Sequence, residues 1–335
     1  MEPLRKGSGV GYSFRTQIFR RFLRHRLALV GAVFLLLLAL AAVLSPWITP
    51  YSASKQNRRH AFTAPSLTVV EGINAPCERA AVLFWRCGAH PFGTDDLGRD
   101  ILTRVLAGGR VSLLVGFIAG GMATALGTLI GATAGYAGGV LDALVCWIMD
   151  FILSIPQLPL VLILIGLLAA QQSTLAGLLT RLFGNYQSAG LVVFVVVLLT
   201  WPVSARLVRS QILSLREEAF VEAARGIGAS SRRILFRHIL PNVTAIVIVQ
   251  GTLAMGYAIL TESALSFLGL GVQPPAVSWG NMLSQAQAFL YYPNGIYMAV
   301  FPGAAILLTV LSVNFLGDGL REALDPRQYG KGGAE

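Results

Sequence analysis

Six apolar runs, each long enough to cross a bilayer, govern what this chain can fold into. A helix needs about 20 apolar residues to traverse a roughly 30 Å hydrocarbon core. Runs of that kind fall at 27–48, 111–134, 143–170, 190–208, 243–260 and 296–317. Hydrophobic residues make up 55% of the 335 and charged residues 13%, about half the roughly 25% of soluble domains. That balance excludes a disordered chain and argues against a soluble enzyme. The expected fold class is all-α, a polytopic membrane protein with six transmembrane helices. Pro156 and Pro159 interrupt the third run, so a kink or break is expected there. The first run exceeds the about 7–15 apolar residues of a cleaved signal and reads as a retained anchor.

Basic residues orient the spans, because short cytoplasmic loops collect Lys and Arg. Arg5, Lys6, Arg15, Arg20, Arg21, Arg24 and Arg26 precede the first run, against Glu2 alone. Arg209, Arg216, Arg225, Arg232, Arg233 and Arg237 lie between the fourth and fifth runs, with Arg206 at the membrane edge. The loop between runs three and four holds only Arg181, and that between five and six holds no Lys or Arg. Both termini and the four–five loop are therefore expected in the cytoplasm. The first external loop, with eight basic and five acidic residues, agrees less well but is long for the rule. The net charge of +10 fits cytoplasmic loops held against anionic lipid. Nucleic acid is not an expected partner, because the basic residues are scattered between apolar runs.

The four–five loop, residues 209–241, carries the most specific signal. Glu217, Glu218, Ala219, Glu222, Ala223, Ala224 and Arg225 favour helix, and Gly226 and Gly228 end it. Ser230 or Ser231 can cap a second helix running to Leu240, and Pro241 fits a first turn or a break. Phe220, Ala223, Ala224 and Ile227 are expected to form a small apolar knob rimmed by charge, a shape that suits a partner's groove.

Glu222-Ala223-Ala224, Gly228 and the trailing Ile239-Leu240-Pro241-Asn242 resemble the "EAA" loop of permease subunits in binding-protein-dependent ABC importers. Residues 90–104, Gly109 to Leu113, residues 262–271, Trp279-Gly280 and residues 317–327 are similar to the dipeptide/oligopeptide/nickel subfamily. Phe22, His25, Ala28 and Gly31 resemble its C-type permease. The likeness covers nearly the whole chain and carries nothing over 51–86. It implies a type I importer permease fold in the bacterial inner membrane. The layout would be a cytoplasmic tail (1–26), an anchor helix (27–49), an extracytoplasmic loop (50–93), a five-helix core (94–320) and a C-terminal tail (321–335). It also implies a path for di- or oligopeptides or a related solute, and three kinds of partner: a homologous permease, one or two cytoplasmic ATPases and an extracytoplasmic binding protein. The coupling residues would be Glu217, Glu218, Phe220, Glu222, Ala223, Ala224, Arg225, Gly226 and Gly228.

No phosphate-cradling Gly-x-x-x-x-Gly-Lys-Ser/Thr run occurs, so ATP and Mg are expected in separate ATPase subunits and no cofactor in this chain. The four histidines lack metal-ligand spacing, and no nucleophile elbow is present. The competing reading is a self-sufficient secondary transporter or channel, which would carry more buried charge than this chain does.

Charges inside spans are costly and mark function or fixed contacts. Asp150 reads either as part of the translocation path or a mobile helix contact, or as a packing group bound to a backbone or hydroxyl donor. Glu262, near the outer end of the fifth run, has the same two readings. Asp142 is expected to cap a helix start. Glycines at 116, 120, 127, 131 and 135 are spaced for close helix packing. The aromatic stretch 271–292 suits the membrane interface. Cys77 and Cys87 share the external loop and are candidates for a disulfide, whereas Cys146 reads as packing.

Overall fold

The computed structural model describes residues 20–67, 89–170, 184 and 187–324. Cys77 and Cys87 lie outside them. Its helices are α1 (Arg26–Ile48), α2 (Ile101–Ala137), α3 (Gly139–Ser154), α4 (Gln157–Ala170), α5 (Gln187–Leu215), α6 (Ala219–Gly226), α7 (Ser231–Phe267), α8 (Trp279–Ala286) and α9 (Tyr297–Leu324). Among the described residues there is no strand beyond the isolated bridges Ser66–His90 and Thr94–Asp100.

Five of these helices, α1, α2, α5, α7 and α9, are long and apolar enough to cross a membrane. The third apolar run is broken: α3 and α4 meet at 93°. Pro156 explains the position of the break. It disfavours α conformation in the preceding residue, and Ile155 is extended at φ −91°, ψ 134°. The pair counts as a sixth span only if its two arms are taken together.

Helix α2 is the central post, and it begins ten residues before the apolar run expected from the sequence. Asp100 sets that start, its carboxylate accepting from Thr103 N at 2.8 Å and thereby satisfying an orphan donor of the first turn. At 37 residues and 1.5 Å rise it is about 55 Å long, so it outreaches the bilayer. Its glycines do the packing expected of them. A Cβ on Gly120 would lie 2.5 Å from Met255 N of α7, and one on Gly131 would lie 2.3 Å from Ala205 O of α5. Only hydrogen fits at such backbone approaches.

Helix α1 lies against α9 and α2. His25 caps it, its Nδ1 accepting from Ala28 N at 3.0 Å, while Nε2 sits 3.5 Å from Glu322 of α9. A Cβ on Gly31 would come within 2.7 Å of Ser312 O, which fixes how closely α1 meets α9.

The two ends of the bundle differ. At the cap end, residues 50–67 and 89–100 fold over α8. Asp95 accepts from Arg99 Nε at 2.6 Å and lies 3.3 Å from Arg104. Arg99 and Arg104 both donate to Gln285 of α8, at 3.0 and 2.8 Å. His90 pairs with Asp100 at 2.9 Å. Gly98, at φ +71°, lets the loop pass so close to Asn57 O that a Cβ would sit 1.8 Å from it. Helix α8 corrects the interfacial reading of 271–292. Trp279 is fully buried and its Nε1 donates to Val105 O at 2.9 Å, with Gly108 and Gly109 making room for its ring. Of the aromatics in this stretch Tyr291 and Tyr292 are the exposed ones, and Gln273–Pro275 ahead of the helix are exposed as well. The elbow end is formed by the termini of α5 and α7 with α6 between them.

Candidate functional site

Helix α6 is short because both its neighbours stop it. Helix α5 ends at Leu215, and the chain turns through Arg216, Glu217 and Glu218 before Ala219. Glu217 and Glu218 thus precede the helix that the sequence led us to begin at 217; Glu217 accepts from Arg216 Nε at 2.8 Å. At the other end the chain closes in a Schellman motif. Ala229 N donates to Ala224 O at 3.0 Å and Gly228 N to Arg225 O at 2.9 Å, with Gly228 at φ +80°. That backbone conformation favours glycine. Gly226 is the last helical residue and Gly228 makes the corner.

One face of α6 is buried. Val221 and Ala224 pack into a cluster with Val208 and Ile212 of α5 and Ile234, Leu235, Ile239 and Val243 of α7. The opposite face, Phe220, Glu222, Ala223 and Arg225, is exposed, and Ile227 beyond it is 86% exposed. The knob therefore consists of Phe220, Ala223 and Ile227. Ala224 is not part of it; it anchors the helix to the bundle. The second helix also differs from expectation. It does not stop at Leu240 but runs on through a π-helical segment, Ile234–Ile239, into the fifth apolar run. Pro241 lacks an N–H and its ring would crowd a carbonyl one turn back, and the wider π turn just before it accommodates this. Ser230 occupies the cap position without a side-chain cap bond.

Comparison with known proteins agrees with this architecture. Residues 127–329 match the family described as the inner membrane component of binding-protein-dependent transport systems. Residues 13–65 match the N-terminal transmembrane domain of oligopeptide transport permease C. The dipeptide transport system permease protein DppC of Alkalihalophilus pseudofirmus is 38% identical over 93% of this chain and 89% of its own length. The glutathione transport system permease protein GsiD of Escherichia coli is 39% identical over 94% and 91%. This chain belongs to the binding-protein-dependent permease family. It is a transport subunit of an importer, not an enzyme, and an inner-membrane component.

The charges within the permease's spans fall into two groups. Asp142 stands in the first turn of α3 but does not cap it; it is held by Arg209 of α5, whose Nη2 donates at 2.6 Å. Two turns on, Asp150 accepts from Arg206 Nη2. These two rungs join the antiparallel α3 and α5. The partner of Asp150 is thus a guanidinium, and neither reading of Asp150 anticipated it. The pair is open, with side chains 69% and 53% exposed. Tyr257 of α7 donates to Gln157, at the start of α4, at 2.6 Å in another exposed pair.

Glu262 is the opposite case, with no exposed surface. Ser112 of α2 donates to one carboxylate oxygen at 2.9 Å and Ser266 to the other at 2.7 Å. Those serine oxygens in turn accept from Trp279 N at 3.3 Å and Val272 N at 3.0 Å. Both carboxyl oxygens accept, so each serine hydroxyl points its hydrogen at Glu262. Their lone pairs are left for the two ends of the 272–279 segment. The sequence pointed to Glu262 but not to Ser112, Trp279 or the arginine partners, because each pairing spans many residues. Cys146 is half-buried and contacts Asp142.

Proposed function

We propose that α6 and its flanks are the element through which this permease receives work from a cytoplasmic ATPase, with both termini on that same side of the membrane. The observation that carries this is the division of one eight-residue helix. Val221 and Ala224 are locked to the ends of α5 and α7, while Phe220, Glu222, Ala223, Arg225 and Ile227 are presented outward. A push on the exposed face is passed directly to two spanning helices. Glu217, Glu218, Gly226 and Gly228 shape the approach and the exit of that helix. ATP-driven closure of the ATPase pair moves α6, and the α5–α7 unit turns with it toward the outward-open state. The free energy of that shift comes from contacts of α6 that differ between the ATPase states.

The exposed Asp150–Arg206 pair and the Gln157–Tyr257 pair mark the side that meets a homologous permease and lines the path. Charged groups at that depth face a partner or water, not lipid. The relatives named for dipeptide and glutathione transport support a peptide or peptide-like solute, delivered by an extracytoplasmic binding protein and powered by one or two ATPases.

The test is Gly228→Pro in the reconstituted transporter. Proline removes the Gly228 N–H bond and cannot adopt φ +80°. Solute uptake should fall by about 5–150-fold, the span of coupling free energies of roughly 1–3 kcal/mol, while the complex still inserts and its ATPase still turns over. Native uptake in this variant would remove α6 from the coupling path.

A further inference from the structure

We propose that an anionic glycerophospholipid is a fixed ligand of this permease, its phosphate on Arg110 and one acyl chain in the groove that α1 and α2 line together with α7 and α9. The argument starts from Pro46. Having no N–H, it leaves Ala42 O of α1 without its helical donor. Arg110, which follows the Gly108-Gly109 pair in α2, fills that place. Its Nε donates to Ala42 O at 2.5 Å and its Nη2 to Val43 O at 2.6 Å. These carbonyls satisfy two of the guanidinium's donors but not its charge. Arg110 has no carboxylate partner among the described residues. A cation among spanning helices requires a counter-charge, and the chain itself does not supply one.

The groove beside it supplies the rest of the fit. It has a volume of about 640 Å³, with Arg110 at one end and walls of Leu35, Ala39, Leu113, Leu114, Phe117 and Met255. Ala42 and Val43 stand five or six residues from the cap end of α1, so their carbonyls hold the Arg110 guanidinium about 8–9 Å inside that end, in the outer part of the leaflet, where a phosphate can be drawn down to it. From Val43 the groove descends alongside α1 to Leu35. Eight residues at 1.5 Å make about 12 Å, close to one leaflet's share of the roughly 30 Å hydrocarbon core. A site with a cation in the outer part of the leaflet and an apolar trench running on from it fits a lipid with one charged phosphodiester and one chain engaged. Arginine suits the phosphate because its planar fork binds two oxygens at once. A polypeptide helix has its carbonyl and amide groups already paired, so it could answer Arg110 only through an acidic side chain, whereas every anionic phospholipid carries the phosphate.

The experiment uses the full transporter complex, purified from membranes and equilibrated in nanodiscs of phosphatidylethanolamine with phosphatidylglycerol. Native mass spectrometry counts lipid retained after mild delipidation. The native complex should retain phosphatidylglycerol in preference to phosphatidylethanolamine. Arg110→Gln should lower retention about tenfold, as for the loss of one charge-assisted hydrogen bond. Ala39→Phe, which fills the trench and leaves the Arg110–Ala42 latch intact, should lower it comparably. A photo-crosslinking residue at position 39 should yield a lipid adduct. Equal retention in Ala39→Phe and the native complex, no preference for the anionic lipid, or a crosslink from position 39 to another polypeptide would each overturn the proposal.

Discussion

At the cap end Asp95, Arg99, Arg104, Gln285, Glu262 and the serines around it turn their polar atoms toward one another, beneath a layer that leaves Trp279 and Glu262 without exposed surface. At the elbow end Glu217, Glu218, Glu222 and Arg225 turn theirs to solvent, and α6 is held by two small apolar side chains, Val221 and Ala224. A closed polar network fixes a unique geometry and is sensitive to the loss of any member. A helix tethered along one apolar stripe keeps its outer face free for a partner. The cap thus has the physical character of a fixed lid on the bundle, and the elbow that of a handle.

The comparison can be broken most forcefully at Trp279. Trp279→Ala should cost about 3–5 kcal/mol of stability, since it empties the seat made by Gly108 and Gly109 and removes the indole hydrogen bond to Val105 O. Thermal unfolding of the purified complex would measure it. If the cap were merely a loose loop, the change would be within about 0.5 kcal/mol, as for an ordinary surface substitution. Asp95→Ala should be nearly as severe, about 3–5 kcal/mol, because it leaves Arg104 buried beside a second cation. Asp95→Asn should recover part of that, because the amide oxygen can still accept from the Leu97 and Arg99 amides.

Glu262→Gln sharpens the same contrast with a smaller effect. Glutamine has one acceptor oxygen where the carboxylate has two, so one of Ser112 and Ser266 must meet an NH2 group. The cost should be about 1–3 kcal/mol. Amide exchange at Val272 or Trp279 should quicken selectively, because those N–H groups depend on the two serine oxygens. Exchange unchanged at both would mean that the carboxylate does not orient the segment. At the elbow the expectation reverses. Phe220→Ala should leave unfolding within about 0.5 kcal/mol of native yet reduce uptake and ATPase retention on pull-down. A large stability loss there would show that Phe220 belongs to the core.

Helix number, the broken third run and the glycine corner were legible in the sequence, because each is written locally: twenty apolar residues, a proline, a glycine that alone tolerates φ +80°. The small-residue spacing of α2 was legible for the same reason, since neighbours four apart lie on one helix face. The cap was not. Arg99 and Arg104 meet Gln285 across more than 180 positions, and residues 90–104 on their own read as a charged loop. Trp279 looked interfacial because an aromatic between prolines and tyrosines resembles a membrane belt, and only the seat at Gly108 and Gly109 reveals that it is buried. Ala224 and Ala223 are adjacent identical residues with opposite roles. Composition cannot separate them, because which one faces inward is decided by the phase of α6 against α5 and α7.

The smallest effect concerns acid and the cap. Burial, then the nearby His90 and Arg59, hold the His60 imidazole below its ordinary pKa of 6.5. The unfolded chain therefore takes up a proton at His60 before the folded cap does. Stability linked to this group is intact above about pH 6.5 and declines as pH falls through that value toward the lower folded pKa. His60 is half-buried at the edge of the cap, so the change is local. Its carbonyl accepts from the Thr63 hydroxyl at 2.9 Å, and its ring lies edge-on to His90 at 6.3 Å. Charging it loosens the 57–63 turn. Hydrogen exchange over residues 57–67 should be faster at pH 5.5 than at pH 7.5, after correction for intrinsic rates, and His60→Gln should flatten the difference. The elbow, held by apolar contacts and a glycine corner, should show no such dependence. Equal acid response at both ends would mean that the cap's histidines are not what distinguishes it.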